Sequence, residues 1–219
     1  MPIEKIVEML KDGTIETLYM TLVATAFGYL LGLPLGILLT VTDVDGISPN
    51  KFVYKILDFI SNILRSIPFL ILLILIIPFT KALVGKSYGT NATIVPLVVA
   101  AAPFIGRMVE SSLKEVNYGV VEAALSMGAS KFTIIRKVLL VEARTSLMVG
   151  LTIATGTILG YSAMAGVVGG GGLGVIAIRY GYNRYQTDIM LITIVVLVIL
   201  VQILQAIGMK IAKVLDKRR

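Results

Sequence analysis

Residues 17–42 read TLYMTLVATAFGYLLGLPLGILLTVT, a stretch in which no side chain carries a charge. A helix of about 20 apolar residues is long enough to cross the hydrocarbon core of a bilayer. The rest of the chain has the same character, because 57% of its 219 residues are hydrophobic and only 15% are charged, against about 25% charged in soluble domains. The sequence therefore predicts an all-α integral membrane protein.

Uncharged stretches recur along the chain and set the number of predicted spans. They cover residues 17–42, 66–80, 87–106, 145–178 and 189–209. We therefore predict five transmembrane helices, with a long polar loop between the third and the fourth. The second stretch is short for a span unless it borrows from residues 56–64, which would set Arg65 against protein or at the headgroups.

The N-terminal segment before the first span has its own pattern. Ile3, Ile6, Val7 and Leu10 share one helical face, while Glu4, Glu8 and Lys11 lie off it. This pattern predicts a short amphipathic helix in the membrane interface. The mixture of acidic and basic residues is not that of a signal peptide.

The distribution of Lys and Arg predicts the orientation of the spans. With five spans, 14 of the 20 basic residues fall on the side of the C-terminus and 6 on the side of the N-terminus. Basic loops are retained in the cytoplasm. We therefore expect the N-terminus outside, the C-terminus in the cytoplasm, and the loop between spans three and four in the cytoplasm.

Several kinds of chemistry are disfavoured by the sequence. The chain has no Cys and no His, so disulfides, thiolate catalysis and the usual zinc sites are not expected, and neither a catalytic site nor a metal site is predicted. An intramembrane hydrolase with Ser162 as nucleophile would lack a histidine base. Nucleic acid is not an expected partner, because no basic patch is interleaved with aromatic residues.

Two glycine-containing motifs imitate nucleotide sites. GGGGLG at 169–174 satisfies the dinucleotide pattern, and TKALVGKS at 80–87 ends like a phosphate loop. The first lies between two membrane spans instead of in a βαβ unit, and the second has Thr80 where its first glycine belongs. We therefore expect the glycines at 169–174 to form a sharp turn where a helix ends near the outer face.

Small residues at four-residue spacing mark two of the spans. Gly28, Gly32 and Gly36 lie in the first span, and Gly156 and Gly160 lie in the fourth. This spacing allows helices in lipid to pack backbone to backbone. Two interpretations remain open at this point, namely packing within one chain and a seam between two copies.

The loop between spans three and four contains EAALSMGASKFTIIRKVLLVEARTS at 122–146. Val120, Val121, Ala124 and Leu125 form a narrow apolar face of a short helix, Gly128 allows a break, and Ser130 begins the next helix. A slim helix of this kind fits a groove on a partner. The nearby basic residues are equally compatible with lipid headgroups.

Four segments together resemble one family. Residues 122–124 (EAA) with Gly128 are similar to the EAA loop of ABC importer permeases, although Val141 occupies the position of the family's closing proline. The segments RSIPF at 65–69, AAPFIGRMVE at 101–110 and GYSAMAGVVGGGGLG at 160–174 resemble the methionine importer permeases.

The resemblance implies a single permease domain over residues 1–219 with a coupling loop at 111–146, in a bacterial inner membrane. Two copies would form the pathway, two cytoplasmic ATPase subunits would bind ATP and Mg, and an extracytoplasmic methionine-binding lipoprotein would deliver the substrate. This chain would then be no enzyme and would hold no cofactor. The implied substrate is methionine of either configuration, and the alternative is another small amino acid or a quaternary amine.

The resemblance and the local sequence together give the candidate site residues. The residues expected to contact the ATPase are Val121, Glu122, Ala123, Ala124, Gly128 and Ala129. Met164 is the candidate gate, with Tyr161 and Ser162 beside it, because a long flexible thioether stands among small neighbours and could meet its symmetry mate. The alternative for Met164 is simple helix packing.

Overall fold

The computed structural model describes residues 2–216, which form helices and no strand. The helices are α1 (Ile3–Thr42), α2 (Lys51–Ser66), α3 (Phe69–Leu75), α4 (Ile77–Val84), α5 (Thr90–Lys114), α6 (Tyr118–Ser126), α7 (Lys131–Thr133), α8 (Leu140–Glu142), α9 (Arg144–Met164), α10 (Gly172–Ile176) and α11 (Thr187–Leu215). A π-helical turn, Ile134–Leu139, joins α7 to α8, and a second, Ala177–Tyr182, extends α10.

Among the described residues, four helices are long and apolar enough to cross a membrane, namely α1, α5, α11 and α9 with the 3-10 turn that follows it. A fifth span exists only if α2 and α3 cross the membrane as one broken span, since the two helices meet at a bend of 102°. The break has a local cause. Ile67 precedes Pro68 and is extended, at φ −80° and ψ 122°, because a residue before proline is disfavoured in the helical region.

The bundle has two ends, which we name from their residues. The basic end holds the C-terminus of α1, the start of α2 and the loop 111–146, and there the Asn50 N–H donates to Thr42 O at 2.9 Å. The glycine end holds the turn at 169–172 and the start of α5, and there the Gly89 N–H donates to Gly169 O at 3.0 Å.

The centre of the fold is the contact between α1 and α5. A Cβ atom on Gly32 would lie 2.8 Å from Ala102 O, and one on Gly36 would lie 2.5 Å from both Gly106 O and the Val109 Cβ. The two backbones therefore touch, as close helix packing in lipid requires. For these α1 glycines the structure selects packing within one chain.

The predicted interfacial helix at the N-terminus is wrong. α1 runs without interruption through 40 residues, because the single Gly13 costs a helix only about 1 kcal/mol and no proline separates this segment from the first span. Ile6, Met9 and Leu10 pack with the cluster of Leu173 and Ile176. Ile6 and Leu10 of the predicted apolar face are thus used for tertiary packing, while Ile3 and Val7 stay exposed.

The predicted fourth span also needs correction, because its helix stops well before residue 178. α9 ends at Met164, a 3-10 turn follows, and the chain reverses through Gly169, Gly171 and Gly172, whose φ angles are +76°, +92° and +70°. Such positive φ values favour glycine. The Gly172 N–H donates to Glu16 Oε2 at 2.6 Å, so α1 fixes the turn. The sharp turn predicted at 169–174 is present.

Candidate coupling site and pathway surfaces

The helix–turn–helix predicted around Gly128 is present in the structure. α6 begins where the Asn117 side chain accepts the Gly119 N–H at 2.8 Å. It ends at Ser126, and in the turn that follows Gly128 has a left-handed φ of +77° and the Ala129 N–H donates to Ala124 O at 3.0 Å. Ser130 caps the next helix by accepting the Thr133 N–H at 3.3 Å. The local sequence therefore forms a short helix with both ends satisfied.

α6 has two different faces. Val121 and Ala124 are 4% and 5% exposed and belong to the main core cluster. Both were predicted to contact an ATPase, and this contact stays a prediction; in this chain their side chains pack against the bundle. They hold α6 on the bundle.

The outward face of α6 also carries apolar residues, beside the exposed Glu122 and Ser126. Glu122, Ala123 and Gly128 are exposed and Ala129 is half-buried, so these four predicted residues remain accessible. Met127, at 81% exposed, was missed by the sequence analysis. The signal was available, since the flexible side chain of Met is common at adaptable binding surfaces.

The outward face consists of Val120, Glu122, Ala123, Leu125, Met127 and Gly128. We call these six residues the α6 surface. The segment after it is tied to the bundle by Lys131, whose Nζ donates to Ser48 Oγ at 2.8 Å. The α6 surface therefore belongs to a helix that is held by its buried face and by the Lys131 contact of the following segment.

A network of charged side chains at the basic end was missed by the sequence analysis. Arg107 Nη1 donates to Glu110 Oε2 at 2.7 Å, and Nη2 pairs with Asp58 of α2. Lys114 Nζ lies 2.8 Å from Glu110 Oε1 and 2.6 Å from Asp43 Oδ2. The spacing of Arg107, Glu110 and Lys114 on one face of α5 was the available signal.

The network joins three helices at one level. The Glu110 side chain is only 6% exposed, so its charge depends on these cations. The hydrogen bond from Lys114 lowers the pKa of Asp43 below its ordinary value, against the opposing effect of burial. Asp43 ends α1, Asp58 lies in α2, and Glu110 lies in α5, so the network fixes these helices near the start of the coupling segment.

The three candidate gate residues have different environments. Met164 is 53% exposed at the end of α9. Ser162 is 1% exposed and donates to Leu159 O at 2.7 Å, so it faces the protein interior and not an open pathway. The Tyr161 ring stacks on Phe69 with centroids 4.6 Å apart. Of the three, only Met164 presents a largely free side chain.

The glycines of α9 also differ from one another. A Cβ atom on Gly156 would lie 3.2 Å from Gln205 Nε2, so Gly156 packs within the chain, whereas nothing lies within 4 Å of such an atom on Gly160. Gly160 and Met164 therefore lie on an open part of α9.

The model of one protein family, described as "Binding-protein-dependent transport system inner membrane component", matches residues 32–219. The chain belongs to this family. Its apolar helices and this membership make it a multi-pass protein of a bacterial inner membrane.

Individual relatives of this family member match nearly its whole length. The probable D-methionine transport system permease protein MetI of Vibrio cholerae is 50% identical over 211 residues, which are 96% of this chain and 94% of the relative. The methionine import system permease protein MetP of Bacillus subtilis is 45% identical and covers 94% of this chain and 93% of its own length.

Solved structures show the same architecture. A chain of the MetNI methionine ABC transporter in an inward-facing conformation has a TM-score of 0.96 at 48% identity and covers 98% of this chain and 99% of its own length. A chain of an amino acid ABC transporter solved with histidines has a TM-score of 0.75 at 20% identity and shares the fold.

Proposed function

We propose that this chain is the permease subunit of an ATP-driven importer of methionine, of D- and L-configuration. The observation that carries the proposal is the likeness, over nearly the full length of both chains, to relatives named as methionine permeases and to a chain of the MetNI transporter. Another small amino acid or a quaternary amine is the alternative substrate, since a permease sequence does not by itself fix what passes.

The proposed assembly contains two copies of this chain, two ATPase subunits and an extracytoplasmic methionine-binding lipoprotein. MetNI, which contains a chain of the same architecture, is an ABC transporter, and this supports an ATPase partner. ATP and Mg would bind to that partner, so this chain forms the pathway and hydrolyses nothing. Residues 1–219 act as one permease domain, and 111–146 act as its cytoplasmic coupling loop.

The proposed orientation has the N-terminus outside and the basic end in the cytoplasm. It is supported by the loop 111–146, which lies at the basic end together with the Arg107 and Lys114 network, because basic residues near span ends are retained in the cytoplasm. The α6 surface then faces the compartment that holds ATP.

The proposed mechanism is transfer of movement through α6. Closure of the ATPase pair would displace the docked α6 surface, and the buried residues Val121 and Ala124 would pass the movement to the core. The spans act as rigid bodies that rock about the pathway. Interdigitated cores transmit such displacement because they have little free volume.

Two adjacent alanines test the docking part of this proposal. Ala123 is exposed and Ala124 is 5% exposed, so Ala123→Trp adds the same bulk to the surface that Ala124→Trp adds to the core. We expect Ala123→Trp to fold but to lose copurification of the ATPase or substrate-stimulated hydrolysis. Ala124→Trp should instead lower the thermal stability of the permease itself. Normal stimulated hydrolysis in Ala123→Trp would reject docking through this face.

For the gate, we propose that Met164 meets its symmetry mate on the two-fold axis and closes the pathway towards the outside. Its 53% exposure and the open Gly160 one turn before it support this. Met164→Cys should crosslink between copies in the inward-facing state and lose the crosslink when ATP is trapped. Absence of a crosslink in both states would return Met164 to a packing role.

A further inference from the structure

α2 is unusual among the helices because its exposed side chains divide into two flanks. Its inward side carries Tyr54, Leu57, Ser61 and Leu64, which are buried or half-buried. One flank is polar and consists of Lys51, Lys55, Asp58, Asn62, Arg65 and Ser66. The other flank is apolar and consists of Phe52, Ile56, Phe59, Ile60 and Ile63.

The two flanks are separate on the helix surface. At about 100° per residue, the six polar residues fall within an arc of about 100°, and the five apolar residues fill the next arc of about 100°. The apolar side chains are all strongly exposed, from 42% at Ile56 to 75% at Phe52. One helix thus presents two different environments side by side along its whole length.

α2 runs from the basic end of the bundle towards the glycine end and does not lie flat across the basic end. It begins beside the C-terminus of α1, and Tyr54 Oη then donates to Glu110 Oε1 at 3.4 Å. One turn later Asp58 pairs with Arg107, which lies nearer the glycine end of α5.

The ring contact of Phe69, just after the bend, shows how far along the bundle α2 has run when it ends. Phe69 stacks on Tyr161, which is 17 residues along α9 from Arg144 and therefore about 25 Å from the start of that helix. α2 therefore carries its polar flank into the depth of the membrane.

A polar flank at this depth needs water or protein beside it. Charged side chains facing lipid cost several kcal/mol, and in membrane proteins they face the bundle interior or a water-filled cavity. Arg107 satisfies part of the flank, with Nη2 at 2.9 Å from Asn62 Oδ1 and paired with Asp58. Lys55, Asn62 and Arg65 nevertheless remain exposed on the chain.

We propose that the polar flank of α2 lines a water-filled passage through the basic half of the membrane, while its apolar flank faces lipid. This inference rests on the proposed function, because the passage would be the inner part of the transport pathway. Asp58 is already paired with Arg107, so the remaining charges of the flank, Lys51, Lys55 and Arg65, are basic and suit a solute that carries a carboxylate. An amino acid belongs to that class of solute.

The experiment uses the absence of cysteine from the chain, so each introduced thiol is the only one in the permease. Asn62→Cys and Ile63→Cys are adjacent in sequence and at nearly the same depth, but they lie on opposite flanks. The assembled complex in permeabilised vesicles is treated with a membrane-impermeant cationic methanethiosulfonate. Because a thiol reacts as the thiolate in water, we expect Asn62→Cys to react about tenfold or more faster than Ile63→Cys.

A second pair of variants controls for the loss of the contact between Asn62 and Arg107. A larger reagent tests how deep in the membrane each position lies. Lys55→Cys should react faster than Ile56→Cys, its sequence neighbour on the apolar flank, as the first pair predicts. A polyethylene-glycol maleimide should modify Lys55→Cys but not Ser66→Cys, since the latter lies inside the passage. Modification of both by the large reagent would identify α2 as a surface helix and overturn the proposal.

The remaining outcomes also decide the matter. Equal reactivity of the two flanks would overturn the proposal. It would also be overturned if thiols on the polar flank do not react with the reagent but crosslink between copies, because the polar flank would then be an interface between two copies of the chain. Methionine uptake by the wild-type complex is measured in the same vesicles. Failure of uptake with the expected labelling pattern would reject methionine as substrate and leave the passage standing.

Discussion

The α1–α5 contact and the α6 surface both depend on small residues, with opposite structural results. At Gly32 and Gly36 an added Cβ atom would collide with the backbone of α5, whereas at Gly128 it would meet nothing within 4 Å. The first set of small residues allows contact within the chain, and the second leaves clearance for something outside it. The same residue type therefore marks the closely packed part of the bundle in one place and the proposed docking surface in the other.

The largest expected effect comes from filling the closed contact. Gly36→Leu would place side-chain atoms where Gly106 O and Val109 now lie, and such overpacking costs about 3 kcal/mol or more when backbone is in the way. We expect little monodisperse protein and a strongly lowered thermal midpoint in detergent. Gly160→Leu is the matched control, since Gly160 has open space around it. Equal shifts of the midpoint in both variants would contradict the difference between closed and open glycines.

The next largest effect is expected in the charge network that joins α2 to α5. Arg107→Met removes the partner of Asp58 and one of the two cations that pair with the buried Glu110, which keeps Lys114 and the Tyr54 hydroxyl. Because Glu110 keeps one cation, the cost should stay below the roughly 3 kcal/mol of an uncompensated buried carboxylate, and unfolding should occur at lower denaturant concentration. The exposed Arg136→Met serves as the control and should leave the midpoint almost unchanged. A similar midpoint for the two variants would show that the network contributes nothing to stability.

A smaller effect on stability, but a large effect on coupling, is expected at the open end of α6. Gly128→Val forces a β-branched residue into a φ of +77°, at a cost of about 1–2 kcal/mol in left-handed conformation. The strain is relieved by local distortion of the exposed turn, so the bundle should fold while substrate-stimulated ATP hydrolysis falls. Gly128→Asn tolerates this conformation better and should retain more coupling. Equal coupling in the two variants would remove the conformational role of Gly128.

The smallest effect is expected at Val141, where related permeases of the EAA-loop type carry proline. Val141 is 44% exposed and follows the π-helical turn Ile134–Leu139, whose wider backbone leaves more room before the proline ring than a regular helix does. We expect Val141→Pro to change the free energy of unfolding by less than about 1 kcal/mol. A large loss of expression would indicate that this loop closes differently from that of the family.

The sequence predicted well where a single physical requirement dominates. Uncharged stretches locate the long helices because only apolar side chains are tolerated in lipid. The turn at 169–172 was predictable because positive φ angles need glycine. Gly128 and Ser130 predicted the end of one helix and the start of the next for the same kind of local reason.

The sequence predicted poorly where the outcome depends on what a segment packs against. Val121 and Ala124 could not be assigned to the inner face, since α6 carries apolar residues on both sides. The 102° bend at Pro68 sets the course of α2, but a proline alone gives no angle. The local sequence allows α1 to continue to Ile3, but the packing of this segment on Leu173 and Ile176 involves residues far away in sequence.

The central claim is that this chain forms the pathway for ATP-driven methionine import, and reconstituted transport tests it most directly. Vesicles containing the wild-type permease with the proposed ATPase and binding-lipoprotein partners are supplied with labelled methionine or with labelled glycine betaine as the quaternary amine. We predict ATP-dependent accumulation of methionine, little accumulation of the amine, and loss of methionine accumulation in Ala123→Trp. Accumulation of the amine without methionine, or full methionine uptake in Ala123→Trp, would contradict the account.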